Sequence, residues 1–417
     1  MDAGTAQHSY KAVCAELDRR RRVALGFERI DALLEAFSNP QHSLRVTQVV
    51  GTNGKGTTAI ALAGALRAAG RSSGAYLSPH VLSYTERAML CGRYSTEDEF
   101  AGAMGRTIQI ADESGIPATQ FELLTAGALA LFREAGIEWA VLEAGLGARH
   151  DATSAADPEA VVLTNVGLDH TEYLGETVEE IAEEKLASLK PGAVLVLGTD
   201  DPRVVEAARE AAERVGARLM EHEETGEREG RRASYLERNE RLGLRAAELL
   251  LGRALGQEER EEARWVARAA RPPARFEEHE AHGVPVVVDG GHNPEGLRAV
   301  LGELRTRYGA RPLGVVFGVL KGKDVASMLR ALENEAQLLV LTRPESGDGR
   351  ALDPERVERA YGPRDAAGRR ARVIRDAEEA LCAAVEEMRG ASGVVLVTGS
   401  LSTGVGVLGR LRGGGRA

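Results

Sequence analysis

The chain has 417 residues, of which 43% are apolar and 28% charged, a globular composition too apolar for a disordered polymer. Lys and Arg number 53 against 63 Asp and Glu, a formal net charge of -10, and aromatic residues are only 4%. This argues against nucleic acid or an anionic membrane as main partner and leaves few stacking platforms for single strands.

From the N-terminus, no basic start leads into an apolar core as in a signal peptide, and no apolar run reaches the roughly 18 residues that span a bilayer. The run Arg19 to Arg22 is expected on the solvated face of a first helix. Cys14, Cys91 and Cys382 are far apart and fit neither a disulfide framework nor a zinc spacing, so a reducing cytoplasm is expected. Strands are predicted at Arg45–Val50, Trp139–Leu142, Ala160–Asn165 and Ala193–Leu197. Helices are predicted at Thr57–Ala69, Phe121–Ala135, Val178–Lys190 and Pro202–Val215. Near-continuous apolar strands alternating with helices predict an α/β protein whose mostly parallel sheet is covered on both faces.

A polar stretch, Glu221 to Arg264, is expected to hold helices that close a first domain, and Arg271-Pro272-Pro273 reads as a linker. Two α/β domains follow, 1–270 and 271–417. In the second, strands are predicted at Val284–Asp289, Leu313–Phe317, Gln337–Leu341, Ala371–Ile374 and Gly393–Val397. Helices Pro294–Tyr308, Asp324–Glu335, Pro354–Tyr361 and Ala377–Arg389 alternate with them, and Gly413–Ala417 is expected to be an unstructured tail.

The chemistry concentrates where strands end. Gly51-Thr52-Asn53-Gly54-Lys55-Gly56-Thr57-Thr58 follows a strand and opens an Ala-rich helix. Glycines let backbone N–H groups close around phosphate, and a helix N-terminus adds positive potential. The segment departs from a standard P-loop, since Gly56 separates Lys55 from Thr57. Glu143 follows the strand Trp139–Leu142, where a carboxylate suits either Mg²⁺ or a structural salt bridge or helix cap. Asp169-His170 follows a third. Val178, Ile181, Lys185 and Leu189 share one helix face, so Lys185 either snorkels outward or is held inward beside the phosphates. In the second half Asp289-Gly290-Gly291-His292-Asn293-Pro294 is a glycine turn before a helix. Asn293 suits an N-cap, whereas Asp289 and His292 suggest a site.

In order and spacing these segments resemble the folylpolyglutamate synthase/dihydrofolate synthase family of the Mur ligase superfamily. The likeness runs from about Ile30 to Gly404 and rests on seven motifs. They are Gly51–Thr57, Ser78-Pro79-His80-Val81 with Thr85-Glu86-Arg87, Phe121-Glu122 with Thr125, Ala144–Ser154, Asp169-His170-Thr171 with Glu184-Lys185, Asp289–Pro294, and Thr398–Leu401. The resemblance implies a P-loop-type Mur ligase ATPase domain followed by a smaller Rossmann-like domain. It implies ATP held by Gly51 to Thr58, Asn239, Arg275, Asp289 and His292. It further implies Mg²⁺ at two sites, held by Thr57, Ser78, Glu143, His170 and a carbamylated Lys185. Catalytic groups would be Lys55, His170, Lys185, Asp289 and His292, and substrate groups Ser78, Pro79, His80, Phe121, Arg149, Asp151 and Thr153. Ala148, His150, Ser154, Ala274 and Gly291 depart from the family's pattern.

The implied reaction adds L-glutamate to dihydropteroate or reduced folates through an acyl phosphate, releasing ADP and phosphate, in a monomeric enzyme. Carboxylate and γ-phosphoryl are both anions, and two unit charges at 4 Å repel by about 4 kcal/mol at an effective dielectric of 20. Mg²⁺, Lys55 and Arg275 would offset this. A related ligase for another carboxylate and amino acid, or a regulatory ATPase, are the alternatives.

Overall fold

The computed structural model describes residues 9–221, 233–345, 349–361 and 371–413, which divide into two compact units, Met1–Pro272 and Pro273–Ala417. Among the described residues of the first unit an eight-stranded sheet forms from β1 (Arg45–Val50), β2 (Ser73–Tyr76), β3 (Ala88–Leu90), β4 (Arg93–Tyr94), β5 (Trp139–Glu143), β6 (Ala160–Leu163), β7 (Val194–Leu197) and β8 (Arg218–Met220). Their order is β4-β3-β2-β5-β1-β6-β7-β8. β2, β5, β1, β6, β7 and β8 run parallel, and β3 and β4 form an antiparallel edge.

The central strands are apolar because both faces are covered. Val49, Val141, Val162 and Val196 face a core shared with the helices Lys55–Ala68, Tyr235–Leu251 and Gln257–Ala269. On the other face Val46 and Leu142 pack with helices Glu28–Ala36, Glu97–Glu113 and Gln120–Glu134. Val50 and Leu163 pack with Val178–Leu186 and Pro202–Val215. The expected closing helices are thus present at Tyr235–Leu251 and Gln257–Ala269, while 222–232 of that stretch lie outside the described residues. Because β5, β1 and β6 are parallel neighbours, the segments after Glu143, Val50 and Leu163 emerge side by side at the carboxyl ends of the strands, where ligands of open α/β sheets bind.

The first helix, Tyr10–Arg19, includes only the first arginine of the basic run. Arg20 caps it and pairs with Glu16 and Asp112, and Arg22 donates to the Pro117 carbonyl. These arginines fasten the following segment, so the run is not one solvated helix face.

The second unit has a six-stranded sheet among its described residues: β9 (Glu277–Ala281), β10 (Val284–Val288), β11 (Leu313–Phe317), β12 (Leu338–Leu341), β13 (Arg372–Val373) and β14 (Val394–Thr398). The order is β13-β12-β11-β14-β10-β9, parallel except for the edge strand β9. Helix Pro294–Tyr308 starts as expected, with Asn293 Oδ1 accepting from the Gly296 N–H at 2.8 Å and Pro294 in the first turn. The last helix, Leu401–Gly413, ends at the first residue of the expected tail, and 414–417 lie outside the described residues. Among the described residues no helix is long and apolar enough to cross a membrane.

Candidate active site

The turn after β1 is shaped by the segment after β6. The Thr52 N–H donates to the Asn165 carbonyl at 2.9 Å and the Asn53 N–H to Asn165 Oδ1 at 3.0 Å. The Asn53 carbonyl accepts from Asn165 Nδ2 at 2.9 Å and Thr164 Oγ1 at 2.8 Å. Thr52 and Asn53 therefore spend their N–H groups inside the protein, and the cradle offered to an anion begins at Gly54. Gly54 caps the helix at φ +84°, and a Cβ there would lie 2.4 Å from the Asn239 side-chain amide. Only glycine permits both that backbone and the contact. The Gly56 and Thr57 N–H groups occupy the first helical turn, where no intrahelical carbonyl can reach them.

Two lysines converge on this turn. Lys55 Nζ donates to the Gly51 and Thr52 carbonyls at 3.1 and 3.3 Å. Lys185, only 4% exposed, donates to the same Gly51 carbonyl at 2.9 Å. It is thus held inward and does not snorkel. Burial, reinforced by the charge of Lys55, brings the Lys185 ammonium down to about 7, with Asp169 and Glu184 opposing the change. Helix Val178–Leu186 starts with Thr177 and Glu180 capping each other, which fixes the face that Lys185 occupies.

Glu143, at the end of β5, is buried and faces the same turn. A Cβ on Gly56 would lie 3.1 Å from its Oε2, which also accepts from the Ser78 N–H at 2.8 Å. Ser78, Glu143 and the Gly56–Thr57 turn are therefore together. His170 lies in the neighbouring segment in a left-handed conformation, φ +51°, with its N–H donating to Asp169 Oδ1 at 3.0 Å. Among the described residues no three His, Cys, Asp or Glu side chains form a ready-made metal cage. A carboxylate such as that of Glu143 beside a helix N-terminus is the kind of oxygen donor that a largely hydrated Mg²⁺ takes.

The substrate candidates divide into two kinds. Asp151 and Thr153 are buried and committed to the turn after β5. Asp151 Oδ2 accepts from the Gly145 and Leu146 N–H groups at 2.8 and 2.9 Å, and Oδ1 from Thr153 Oγ1 at 2.5 Å. Phe121, half-buried, lies against Gly145, where a Cβ would come 2.7 Å from its ring. Arg149 is exposed, and its Nε donates to Glu184 Oε2 at 2.8 Å. His80 accepts from Arg87 Nε through Nδ1 at 3.0 Å. Burial, with help from Arg87 and Arg21, pulls its pKa down to about 3, so it is a neutral imidazole that presents an Nε2–H. Pro79 beside it is exposed.

In the second unit Asp289 Oδ2 accepts from the Phe276 N–H and Oδ1 from the Gly291 N–H, both at 2.8 Å. The Arg275 guanidinium lies against Gly290, 3.3 Å from where a Cβ would stand, and His292 Nδ1 is 3.0 Å from the Gly290 carbonyl. Asp289 thus builds the turn that carries Arg275 and His292. Thr164 and Asn165 were not among the expected site residues. Their signal was the same as that of Glu143, polar side chains closing an apolar strand.

Residues 49–238 match the Mur ligase middle domain family, and 274–401 match the Mur ligase, glutamate ligase domain family. The chain is 30% identical to the dihydrofolate synthase/folylpolyglutamate synthase of Mycobacterium tuberculosis, over 84% of this chain and 80% of that one. Its structure is similar to Mycobacterium tuberculosis folylpolyglutamate synthase complexed with ADP and AMPPCP, with a TM-score of 0.87 and 26% identity over 98% and 99% of the two chains. It is also similar to E. coli FolC in complex with DHPP and ADP, with a TM-score of 0.83 and 25% identity over 99% of each chain.

Proposed function

The chain belongs to the dihydrofolate synthase/folylpolyglutamate synthase family of Mur ligases, and from that membership we propose that it joins L-glutamate to a pteroate- or folate-type carboxylate, with ATP converted to ADP and phosphate. The observation that carries the proposal is the pairing of Lys55 and buried Lys185 on the Gly51 carbonyl, with Glu143 facing the same turn. A regulatory phosphate loop needs the first lysine. A second, desolvated amine on the same carbonyl is not explained by phosphate binding alone.

The chain's own groups divide the work. Gly54 to Thr57 and Lys55 would cradle the phosphates, and Asn239, lying on Gly54, would border the adenine end. Thr57, Ser78, Glu143, His170 and Lys185 would hold Mg²⁺, which when bound neutralises phosphoryl charge and lets the carboxylate approach. An amine brought to about 7 is largely neutral under mildly alkaline conditions, the form that combines with carbon dioxide. A carbamate on Lys185 would turn a like-charge neighbour of Lys55 into an oppositely charged one and supply two oxygen ligands. His80, as a neutral donor, and Phe121 and Arg149, beside the turn after β5, are the groups we assign to the acceptor and to glutamate.

The test is ADP release by the purified protein with dihydropteroate or tetrahydrofolate plus L-glutamate, with each omitted in turn, and mass spectrometry of the products. The proposal expects ADP only with the complete mixture and a product heavier by one glutamate. Equal ADP release without both acceptors would sink it.

A further inference from the structure

Gln48 is fully buried in the middle of β1, three residues before Gly51. Phosphate and metal chemistry give it no role, and the strand is buried from Val46 to Val50. Its Nε2 donates to Thr153 Oγ1 at 2.7 Å and to Ser154 Oγ at 2.8 Å. An amide nitrogen carries two hydrogens and accepts nothing, so each hydroxyl must turn its own hydrogen elsewhere. Thr153 donates to Asp151 Oδ1 at 2.5 Å, and Ser154 donates to the Ala148 carbonyl at 2.7 Å. Asp151 in turn accepts the Gly145 and Leu146 N–H groups. Two hydroxyl relays thus tie both ends of the Gly145–Ala148 turn to one side-chain amide of β1.

The opposite orientation of the amide would draw both hydroxyl hydrogens onto Oε1, leaving Asp151 Oδ1 and the Ala148 carbonyl without them. As placed, Oε1 is buried and has no hydrogen-bond partner among the described residues. A leucine or methionine would avoid that unsatisfied acceptor, so fold stability alone gives little reason for an amide here. What the amide adds is register. β1 ends in the phosphate turn, β5 beside it ends in Glu143, and the relays fix the turn after Glu143 against β1.

We infer that Gln48 is a positioning residue, acting through Thr153, Ser154 and Asp151 to set the acceptor-side turn relative to the phosphate turn. The inference rests on the ligase reading for its kinetic consequence, though not for its structural one. The test uses the full-length Gln48→Leu protein, with Gln48→Met as a second variant should the first fail to fold. In hydrogen exchange, the Gly145 and Leu146 amides should exchange roughly tenfold faster. The Thr52 and Asn53 amides, held by Asn165, should keep the wild-type rate. In steady-state kinetics, kcat/KM for the pteroate- or folate-type acceptor should fall by about ten- to a hundredfold, as expected for a misplaced reactant. KM for ATP should stay within about twofold of wild type, a split that a merely structural loss would not produce. Unchanged exchange at Gly145 and Leu146, unchanged acceptor kinetics, or equal losses toward ATP and acceptor would each overturn the inference. Acceptor-independent ADP release by the wild type would instead defeat the ligase reading and leave the exchange rates to judge Gln48.

Discussion

Replacing Lys185 by methionine should stabilise the folded protein at low pH while abolishing its activity. Methionine keeps the length and apolar stem of the side chain without its charge. Each tenfold change in proton affinity is worth about 1.4 kcal/mol, so a lysine brought from its ordinary 10.5 to about 7 opposes folding by an order of magnitude of about 5 kcal/mol when both states are protonated. Losing its charged hydrogen bond to the Gly51 carbonyl removes about 1.5–3 kcal/mol of stabilisation. The expected net gain is about 2–3.5 kcal/mol, or roughly 5 °C in unfolding midpoint for a unit of this size. Below about pH 7 folded and unfolded wild type both carry the ammonium and the full burial cost acts. Between about 7 and 10.5 the unfolded chain binds the extra proton, so wild-type stability rises with pH and the advantage of Lys185→Met shrinks. Thermal unfolding of both proteins in carbon-dioxide-free buffers at pH 6 and pH 9.5 measures this. A variant less stable than wild type at pH 6, or a difference that does not change with pH, would refute the placement of Lys185 as a desolvated amine. Added bicarbonate at pH 8 should raise the wild-type midpoint alone.

Glu143→Gln should leave the fold intact, since an amide oxygen can still accept from the Ser78 N–H, yet lower kcat by about a hundredfold and raise the Mg²⁺ concentration needed for half activity; a magnesium titration reads both, and unchanged Mg²⁺ dependence would remove Glu143 from the metal set. Asn165→Ala removes the side chain that accepts the Asn53 N–H and donates to the Asn53 carbonyl. Its ADP affinity, measured by calorimetry, should fall roughly tenfold, worth about 1.4 kcal/mol, and wild-type affinity would mean that the phosphate turn holds its shape without Asn165.

The elements most legible in the sequence were those whose chemistry is one-sided. β11, and helices Pro202–Val215 and Pro294–Tyr308, fall where apolar runs and proline caps place them. β2 was invisible because Ser73-Gly74-Ala75-Tyr76 carries no β-branched residue. Its glycine lies under the Phe132 ring, where a Cβ would stand 2.9 Å from the ring edge. The edge strand β9, Glu277–Ala281, is charged along its length and is defined only by pairing with β10. Periodicity placed Lys185 on an apolar stripe, but its direction was decided by a carbonyl 134 residues away. Asp151 and Thr153, which the resemblance assigns to the substrate, also hold the turn after β5 through their own hydrogen bonds, a role that only the bond directions reveal.

Three of the five departures from the family's pattern lie together at the turn after β5. The turn after β1 is fastened by Thr164 and Asn165 and the turn after β5 by Asp151, Thr153 and Ser154, two separate sets of side chains. Ala148, His150 and Ser154 all fall on the second set. Ala148 is fully buried and avoids the left-handed conformation that Gly147 adopts at φ +66°, so its methyl adds no backbone strain. Ser154 keeps the turn tied through the Ala148 carbonyl, and exposed His150 stands 6.3 Å from the Phe27 ring. Under the proposed function, substitution there would reshape what borders the acceptor and leave the lysines, Glu143 and Gly54 in place for phosphoryl transfer. A site in which nucleotide chemistry and acceptor recognition hang from different side chains can change its acceptor without rebuilding its phosphate cradle.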